Sequence, residues 1–330
     1  MSRPQPPTYQ TTNRHEYNAA LAKSGSLSTW FDPETQWLDP PTDRRGRQPV
    51  FTDAAIQRCL TLKALFGPPL RQTTGMMASL LELAGLDWPV PDFSTLCRRQ
   101  KTMTAHIPCR PSTSALHLLI DSPGVKAEGD GEWLAKKHRS SKPRDWRKVH
   151  PGFDAGTLEI RAVEIIGSRI GDAPVLPDLL DQIPADLPLG IVTADGANNT
   201  RACHAAIAAQ GAAAAIPPRK NGKPWKEHTA GAAVRNDALR SCRRLGRAIW
   251  NRWTGYHRRS LAEAKMRCLK LLGERVMSRD FDRRVAALKI RAAILNRFTA
   301  LGTPLTQRAG LLCPGKGELR ASVDLGNKDV

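Results

Sequence analysis

The chain has 330 residues, enough for two domains or one large one, and a composition typical of a globular protein: 41% hydrophobic and 25% charged. Its net charge of +19 predicts a polyanionic partner, nucleic acid in preference to an anionic membrane surface. No stretch reaches the roughly 20 apolar residues of a membrane span. The first residues lack the apolar segment of a signal peptide, so we expect a cytosolic protein.

The positive charge is concentrated in three segments. Residues 136–148 carry a net charge of +6, residues 217–250 of +7 and residues 251–270 of +5. Cations pair with phosphates and flat rings stack on bases, so a mixture of the two favours unpaired or distorted DNA as the partner. A set of plain solvated faces is the alternative. The interleaved tryptophans are Trp146, Trp225, Trp250 and Trp253.

The N-terminal third is predicted to be helical after a loosely ordered arm. Residues 1–50 lack sustained periodicity, and we expect a loosely ordered arm with short helical pieces. Apolar residues recur at helical spacing over 53–66 and about 70–85. A third helix is predicted from Ser94, as its N-cap, to about Met103.

Two helices, a turn and a basic third helix resemble a helix-turn-helix DNA reader. The cations of the third helix are Arg98, Arg99 and Lys101. Many small helical domains share this outline without binding DNA, so both interpretations stay open. We expect residues 1–112 to form an N-terminal arm and a mostly helical, helix-turn-helix-like DNA-binding domain.

The rest of the chain alternates short apolar strands with helices, which predicts an α/β domain at 113–300, with 217–250 as a basic insertion and 301–330 as a C-terminal tail. A hairpin is expected at 147–167, where Pro151 removes a ladder hydrogen bond unless its strand is at an edge or bulged. The other predicted elements are strands over 117–121, 190–195 and 212–216, and helices over 176–183, 200–210, 256–272 and 281–300.

Three acidic residues lie where an active site would need them. Asp121 and Asp195 each end an apolar strand, and the ends of adjacent parallel strands meet at one edge of a sheet. Glu263 lies on the long predicted helix. Three carboxylates can hold two Mg²⁺ ions about 3.5–4 Å apart, which activate an attacking hydroxyl and stabilise a leaving oxygen. Each aspartate alone is equally typical of a turn or helix cap.

One face of this helix carries cations around the single acid. A carboxylate flanked by cations suits phosphoryl transfer, and a solvent face on which Glu263 pairs with its neighbours is the alternative. At about 100° per residue, five residues fall in one narrow sector: Tyr256, Arg259, Glu263, Arg267 and Lys270.

The spacing Tyr256-x2-Arg259-x3-Glu263-x6-Lys270 resembles the Y-x2-R-x3-E-x6-K signature of bacterial insertion-sequence transposases of the DDE type. The resemblance covers roughly residues 40–305. Other segments, in the same order, resemble insertion-sequence family five in particular: Ile120-Asp121-Ser122, Thr193-Ala194-Asp195-Gly196-Ala197, Ile216-Pro217-Pro218-Arg219-Lys220-Asn221 and Arg279-Asp280-Phe281-Asp282-Arg283.

This resemblance implies a ribonuclease-H-like catalytic core in which Asp121, Asp195 and Glu263 bind two Mg²⁺ or Mn²⁺ ions. It implies an N-terminal domain that recognises terminal inverted repeats, hydrolysis at each element end, and attack of the freed 3′-hydroxyls on target DNA. Because two ends must be held together, a homodimer on double-stranded DNA is expected. The expected location is the bacterial cytoplasm, at the nucleoid.

The resemblance also implies DNA contacts by the helix face. Trp253, or Trp250, is the candidate to stabilise a flipped base, with core packing as the alternative. The other implied DNA contacts are Tyr256, Arg259, Lys270 and, from the same face, Arg267.

The chain departs from the family pattern at positions beside the triad. Asn199 replaces the second acid of the usual Asp-Gly-Ala-Tyr-Asp-Thr, and Pro123 replaces a threonine. The triad itself is intact. The alternatives to an active transposase are therefore a catalytically inactive or domesticated DNA-binding protein derived from one, and a metal-dependent nuclease of the same fold.

Overall fold

The computed structural model describes residues 9–30, 34–41, 43, 45, 46, 48–112, 114–122, 124–127, 146–167, 170–273, 275–278 and 280–308. Pro123, most of the basic segment 136–148 and most of the predicted tail lie outside the described residues. In the described part, no helix is both long and apolar enough to cross a membrane.

The strands are β1 (Tyr9–Thr11), β2 (Leu116–Ile120), β3 (Gly124–Ala127), β4 (Trp146–Asp154), β5 (Ile160–Gly167), β6 (Leu189–Thr193), β7 (Ala213–Ala215), β8 (Arg275–Val276) and β9 (Thr306–Arg308). The helices are α1 (Arg14–Gly25), α2 (Asp53–Phe66), α3 (Leu70–Leu83), α4 (Phe93–Thr102), α5 (Val175–Leu180), α6 (Arg201–Ala209), α7 (Ala232–Leu245), α8 (Arg247–Trp253), α9 (Arg259–Leu271) and α10 (Phe281–Leu301). Short 3-10 helices occupy Leu27–Thr29, Gly196–Asn198 and Tyr256–Arg258.

The α/β part is built on one mixed sheet. β2 pairs in parallel with β6, which pairs in parallel with β7. On its other side β2 pairs antiparallel with β4, and β4 forms the predicted hairpin with β5. The central order is therefore β5-β4-β2-β6-β7, and β3 and β8 extend the sheet beside β4. This mixed order is consistent with a ribonuclease-H-like core.

Pro151 lies where β4 passes from one partner strand to the next. Residues 146–148 of β4 pair with β3, and residues 152–154 pair with β2. The Pro151 carbonyl accepts a hydrogen bond from the Asp121 N–H on that side, at 3.4 Å. The N–H and C=O of a strand residue face the same neighbour. The missing N–H therefore falls at the gap between two partner strands, and the sheet tolerates the proline.

Helix α10 contributes to two of the three hydrophobic clusters found in the described residues. Leu288, Ala292 and Leu295 pack with the central strands and with α9. Ile290 and Ile294, on another face of α10, pack with α2, α3 and α4. A helix that is apolar on several faces is typically buried. The N-terminal helices thus share a core with α10, and the division of the chain into domains near residue 112 stays a prediction.

The described part of the N-terminal arm is more regular than predicted. It contains the helix α1, and Trp30 and Trp37 are buried. Strand β1 pairs antiparallel with β9, so the arm is bound to residues at the far end of the chain. The expected helical pieces are present, as α1 and the 3-10 helix Leu27–Thr29. The loose order expected for the arm was wrong in the described residues, because local periodicity carries no signal for a partner so distant in sequence.

The third predicted helix begins earlier than expected. Its N-cap is Asp92 rather than Ser94, because the Asp92 carboxylate accepts hydrogen bonds from the N–H groups of Ser94 (2.7 Å) and Thr95 (2.9 Å). Hydrogen bonds from these two residues hold the pKa of Asp92 well below its usual value.

Asn296 on α10 ties together three segments of the chain. Its side chain is 1% exposed, accepts a hydrogen bond from the Ile160 N–H (2.7 Å) and donates to the carbonyls of Ile160 and Pro108 (both 2.9 Å). Removal of the hydrogen-bond partner of a buried backbone group lowers the free energy of unfolding by the full cost of desolvating that group.

We predict that Asn296→Ala lowers the free energy of unfolding by about 3 kcal/mol, since several buried polar groups lose their partner at once. Urea denaturation followed by circular dichroism measures this. The control is Asn18→Ala, at an exposed position of α1, which should change stability by no more than about 0.5 kcal/mol. Equal stabilities of the two variants would contradict the role of Asn296.

Candidate active site

Strands β2 and β6 bring two aspartates to one edge of the sheet. Leu119 is paired with Thr193 in the parallel ladder, and Asp121 and Asp195 each follow two residues later. The two aspartates therefore lie at the same level of neighbouring strands. This is the juxtaposition that the sequence predicts for two parallel strands that each end in an acid.

Arg259, the first residue of α9, lies among the three predicted acids. Its Nη2 donates to Asp121 Oδ1 at 2.7 Å, and its Nη1 lies 3.6 Å from Glu263 Oε1. Burial alone would lower the pKa of Arg259, but attraction to Asp121, Tyr256 and Asp195 raises it above its ordinary value. Arg259 thus links Asp121 to Glu263, and it is also attracted electrostatically to Asp195.

The apolar stripe of α9 fixes this arrangement. Ala262, Met266 and Leu269 are buried against the sheet, at the spacing of one helix face. The helix begins at Arg259, so the prediction of one helix from residue 256 was wrong at its start: Tyr256 lies in a 3-10 turn. Of the other predicted face residues, Glu263 and Arg267 are exposed, whereas Tyr256 and Lys270 are partly buried.

The two tryptophan candidates occupy different environments. Trp250 is 3% exposed, and its ring lies 5.6 Å from that of Tyr256. Trp253, three residues later, is 76% exposed. Core packing therefore accounts for Trp250, and Trp253 is the ring available to a ligand.

The donor chemistry suits a hard divalent cation, which prefers carboxylate oxygens. Asp195 accepts hydrogen bonds from Ala197 N–H (3.1 Å) and Asn198 Nδ2 (2.8 Å) through Oδ1, and Asp121 binds Arg259 through Oδ1. Among the described residues, neither aspartate uses its Oδ2 atom in a hydrogen bond, so this atom can face a ligand. Within the described residues, no three His, Cys, Asp or Glu side chains are already grouped around one point as a metal site. Asp121 and Glu263 are linked through Arg259 instead.

Asn199, the departure from the family pattern, connects two loops. Its Oδ1 lies 3.2 Å from His204 Nε2, and its Nδ2 donates to the Pro217 carbonyl at 3.4 Å. The neighbouring Asn198, rather than Asn199, contacts Asp195. The amide at position 199 therefore joins the turn after Asp195 to the loop that follows β7.

His204 is buried between this turn and the segment that follows β7. Its ring packs edge-to-face on Trp225, with centroids 5.2 Å apart. Burial and, secondarily, the positive charge of Arg235 lower the pKa of His204 to about 4. His204 is therefore neutral in the folded protein at physiological pH.

The His204 side chain takes up a proton near its ordinary pKa of 6.5 in the unfolded chain, but only near pH 4 in the folded protein. The free energy of unfolding therefore decreases as the pH falls from 6.5 to about 4. We predict that His204→Gln removes up to about 2 kcal/mol of the stability difference between pH 7 and pH 5. Denaturant titrations of both proteins at the two pH values test this. An unchanged difference in the variant would show that His204 does not titrate in this way.

Sequence reasoning missed the organisation of the basic insertion 217–250. It contains two helices, α7 and α8, with Ala232, Ala238 and Leu239 buried on one side of α7. The spacing of these apolar positions could have predicted α7, but the many cations of the segment favoured its interpretation as a charged insertion.

The chain matches two family models, each described as a transposase DDE domain, one over residues 112–297 and the other over residues 22–130. The first match alone spans more than half of the chain. This protein belongs to the DDE transposase family. Membership implies transposition of DNA with the help of divalent metal ions. No solved structure matches the chain.

Proposed function

We propose that this DDE transposase is an active, insertion-sequence-family-five enzyme that binds terminal inverted repeats, cleaves the element ends and joins the 3′-hydroxyls to target DNA. The observation that carries the proposal is the placement of Asp121 and Asp195 at one level of adjacent parallel strands, with Glu263 connected to Asp121 through Arg259. This arrangement supports a shared role for the three acids of the family signature.

In the proposed site, Asp121, Asp195 and Glu263 hold two Mg²⁺ ions, or Mn²⁺, which supply activation of the attacking hydroxyl and stabilisation of the leaving oxygen. Asp121 and Asp195 contribute the Oδ2 atoms that make no hydrogen bond to the described residues. Arg259 balances the charge of the carboxylates and is placed to attract a DNA phosphate beside them.

The proposed DNA surface lies around the start of α9. Tyr256, Arg259, Arg267 and Lys270 contact the strand near the transferred 3′ end, and Trp253 supplies an exposed ring for an unpaired base. Two protomers hold the two element ends as a homodimer.

We also propose that helices α2, α3 and α4, which follow the N-terminal arm, recognise the inverted repeats. Two of the three cations of α4 are engaged within the chain: Arg99 with Asp53 (2.8 Å) and Lys101 with Asp280 (3.2 Å). Arg98 is exposed. Base or phosphate contacts from α4 therefore depend mainly on Arg98.

The triad is tested with purified protein, Mg²⁺ and labelled DNA that carries the inverted repeats flanking the gene. We predict that Asp121→Asn, Asp195→Asn and Glu263→Gln each lower end cleavage by about 1,000-fold or more while DNA binding is retained. The matched controls, Asp186→Asn and Glu82→Gln, change exposed acids outside the site and should cleave normally.

Three other outcomes would overturn the proposal. Binding without cleavage by the unaltered protein would identify an inactive or domesticated DNA-binding descendant. Cleavage without strand joining would identify a nuclease of the same fold. Cleavage that survives all three substitutions would assign the chemistry to other residues.

The two tryptophans give a paired prediction. Trp253→Ala should weaken binding to a duplex with an unpaired end by about tenfold and leave stability unchanged, because one exposed stacking ring is lost. Trp250→Ala should instead lower the free energy of unfolding by about 3 kcal/mol or more. Fluorescence anisotropy and urea denaturation measure the two effects. Equal DNA affinity of Trp253→Ala and the unaltered protein would remove Trp253 from the binding surface.

A further inference from the structure

The loop at residues 217–226, here called the basic loop, begins beside Asp195. It follows β7, the parallel strand next to β6, and so leaves the sheet at the same edge as the acids. The Asn199 side chain donates to the Pro217 carbonyl at 3.4 Å. A Cβ atom added at Gly196, the residue after Asp195, would lie 3.6 Å from the same carbonyl oxygen.

The backbone of the basic loop is fixed by side chains of α7. Arg235, which is 4% exposed, donates to the Lys223 carbonyl, and Arg243 donates to the Gly222 carbonyl at 2.7 Å. Asn236 exchanges two hydrogen bonds with the Trp225 backbone, both 2.8 Å. These contacts engage two cations of α7, the buried Arg235 and the exposed Arg243, and they fix the backbone of the loop at residues 222, 223 and 225.

Aromatic packing on Trp225 also holds the basic loop against α7. The Arg235 guanidinium lies 4.6 Å from the centre of the Trp225 ring, and His204 packs edge-to-face on that ring. Pro217 and Pro218 are buried at the start of the loop. Proline restricts the backbone, so the loop loses little further entropy when a ligand binds.

The loop's own cations take no part in this anchoring through their side chains. All four are exposed, and the loop contains no acid. In the part of the chain that the structure describes, none of them forms an ion pair, although such pairs occur on α4 and α9. The four residues are Arg219, Lys220, Lys223 and Lys226.

We propose that the basic loop is a preformed binding site for the phosphate backbone of the DNA whose scissile phosphodiester lies at Asp195. A rigid loop that carries several unpaired cations beside an acidic centre fits a polyanion, and phosphate contacts position a duplex without reading its sequence. The proposal rests on the proposed function for the identity of the ligand as DNA. Beyond the proposed function, it names the loop residues that would hold the DNA backbone next to Asp195.

The test compares the double variant Arg219→Gln/Lys220→Gln with a matched control, Arg14→Gln/Lys23→Gln. The control removes the same charge from exposed positions of α1, a helix of the N-terminal arm that contacts α10. Fluorescence anisotropy without divalent metal measures the affinity for a labelled duplex that carries the inverted repeat and for a duplex of scrambled sequence, over a range of salt concentrations.

For the loop variant we expect about tenfold weaker binding to both duplexes. We also expect the slope of log affinity against log salt to be smaller in magnitude by about 2, because each of the two lost phosphate contacts lowers the magnitude of this slope by about 0.9. The control should keep the slope of the unaltered protein. Equal slopes for loop variant and control would overturn the proposal, and so would weakening confined to the inverted-repeat duplex, which would indicate base recognition. Both variants change exposed side chains, and circular dichroism verifies that they are folded.

This binding readout separates the two proposals. A changed salt slope in a protein that does not cleave DNA would support the basic loop and overturn the active transposase. Normal cleavage by the unaltered protein, together with an unchanged salt slope of the loop variant, would support the active transposase and overturn the basic loop. Failure of the unaltered protein to bind either duplex would overturn both.

Discussion

The ion pair between Arg259 and Asp121 is the interaction on which the arrangement of the candidate site depends. Two aspartates at the same level of neighbouring strands repel each other, and Glu263 adds a third negative charge nearby. The guanidinium lies 2.7 Å from one of these acids and 3.6 Å from another, and its raised pKa reports attraction to Asp195 as well. One partly buried side chain thus contacts two of the three carboxylates and offsets part of their mutual repulsion.

Packing decides where that guanidinium lies. Arg259 opens α9, and α9 is oriented by its stripe of Ala262, Met266 and Leu269 against the sheet. The same core includes residues of α10, which also packs with the N-terminal helices. The position of the site therefore depends on apolar contacts that reach across the described chain, although the chemistry is confined to a few polar residues at one edge.

Sequence reasoning succeeded where local patterns determine structure. The apolar runs that end in Asp121 and Asp195 predicted two strands, and the spacing of the signature predicted the helix that carries Glu263. It could not predict that Arg259 would lie between the acids, since a helical projection gives angles around an axis and no distances to the sheet. It left the accommodation of Pro151 open for a related reason: whether a strand tolerates proline depends on which partner strand faces that residue. The structure has an irregular register directly after Pro151, in agreement with the bulged alternative.

The predicted third helix shows the limit of charge counting. Arg98, Arg99 and Lys101 look equivalent in the sequence, but Arg99 and Lys101 are paired with acids that are distant along the chain. The net charge of a segment therefore overstates the charge that a ligand meets.

The segment 217–250 divides its cations between two roles for the same reason. Arg235 and Arg243 bind backbone carbonyls within the chain, whereas Arg219 and Lys220 are exposed and unpaired within the described residues. Arg235 and Arg243 are engaged within the chain, where they fix the backbone of the loop. Arg219 and Lys220 are carried on this fixed backbone, which loses less entropy than a flexible one when a phosphate is bound. Composition alone counts these four residues as one positive patch, and only the contacts separate the cations that build the loop from those that can bind DNA.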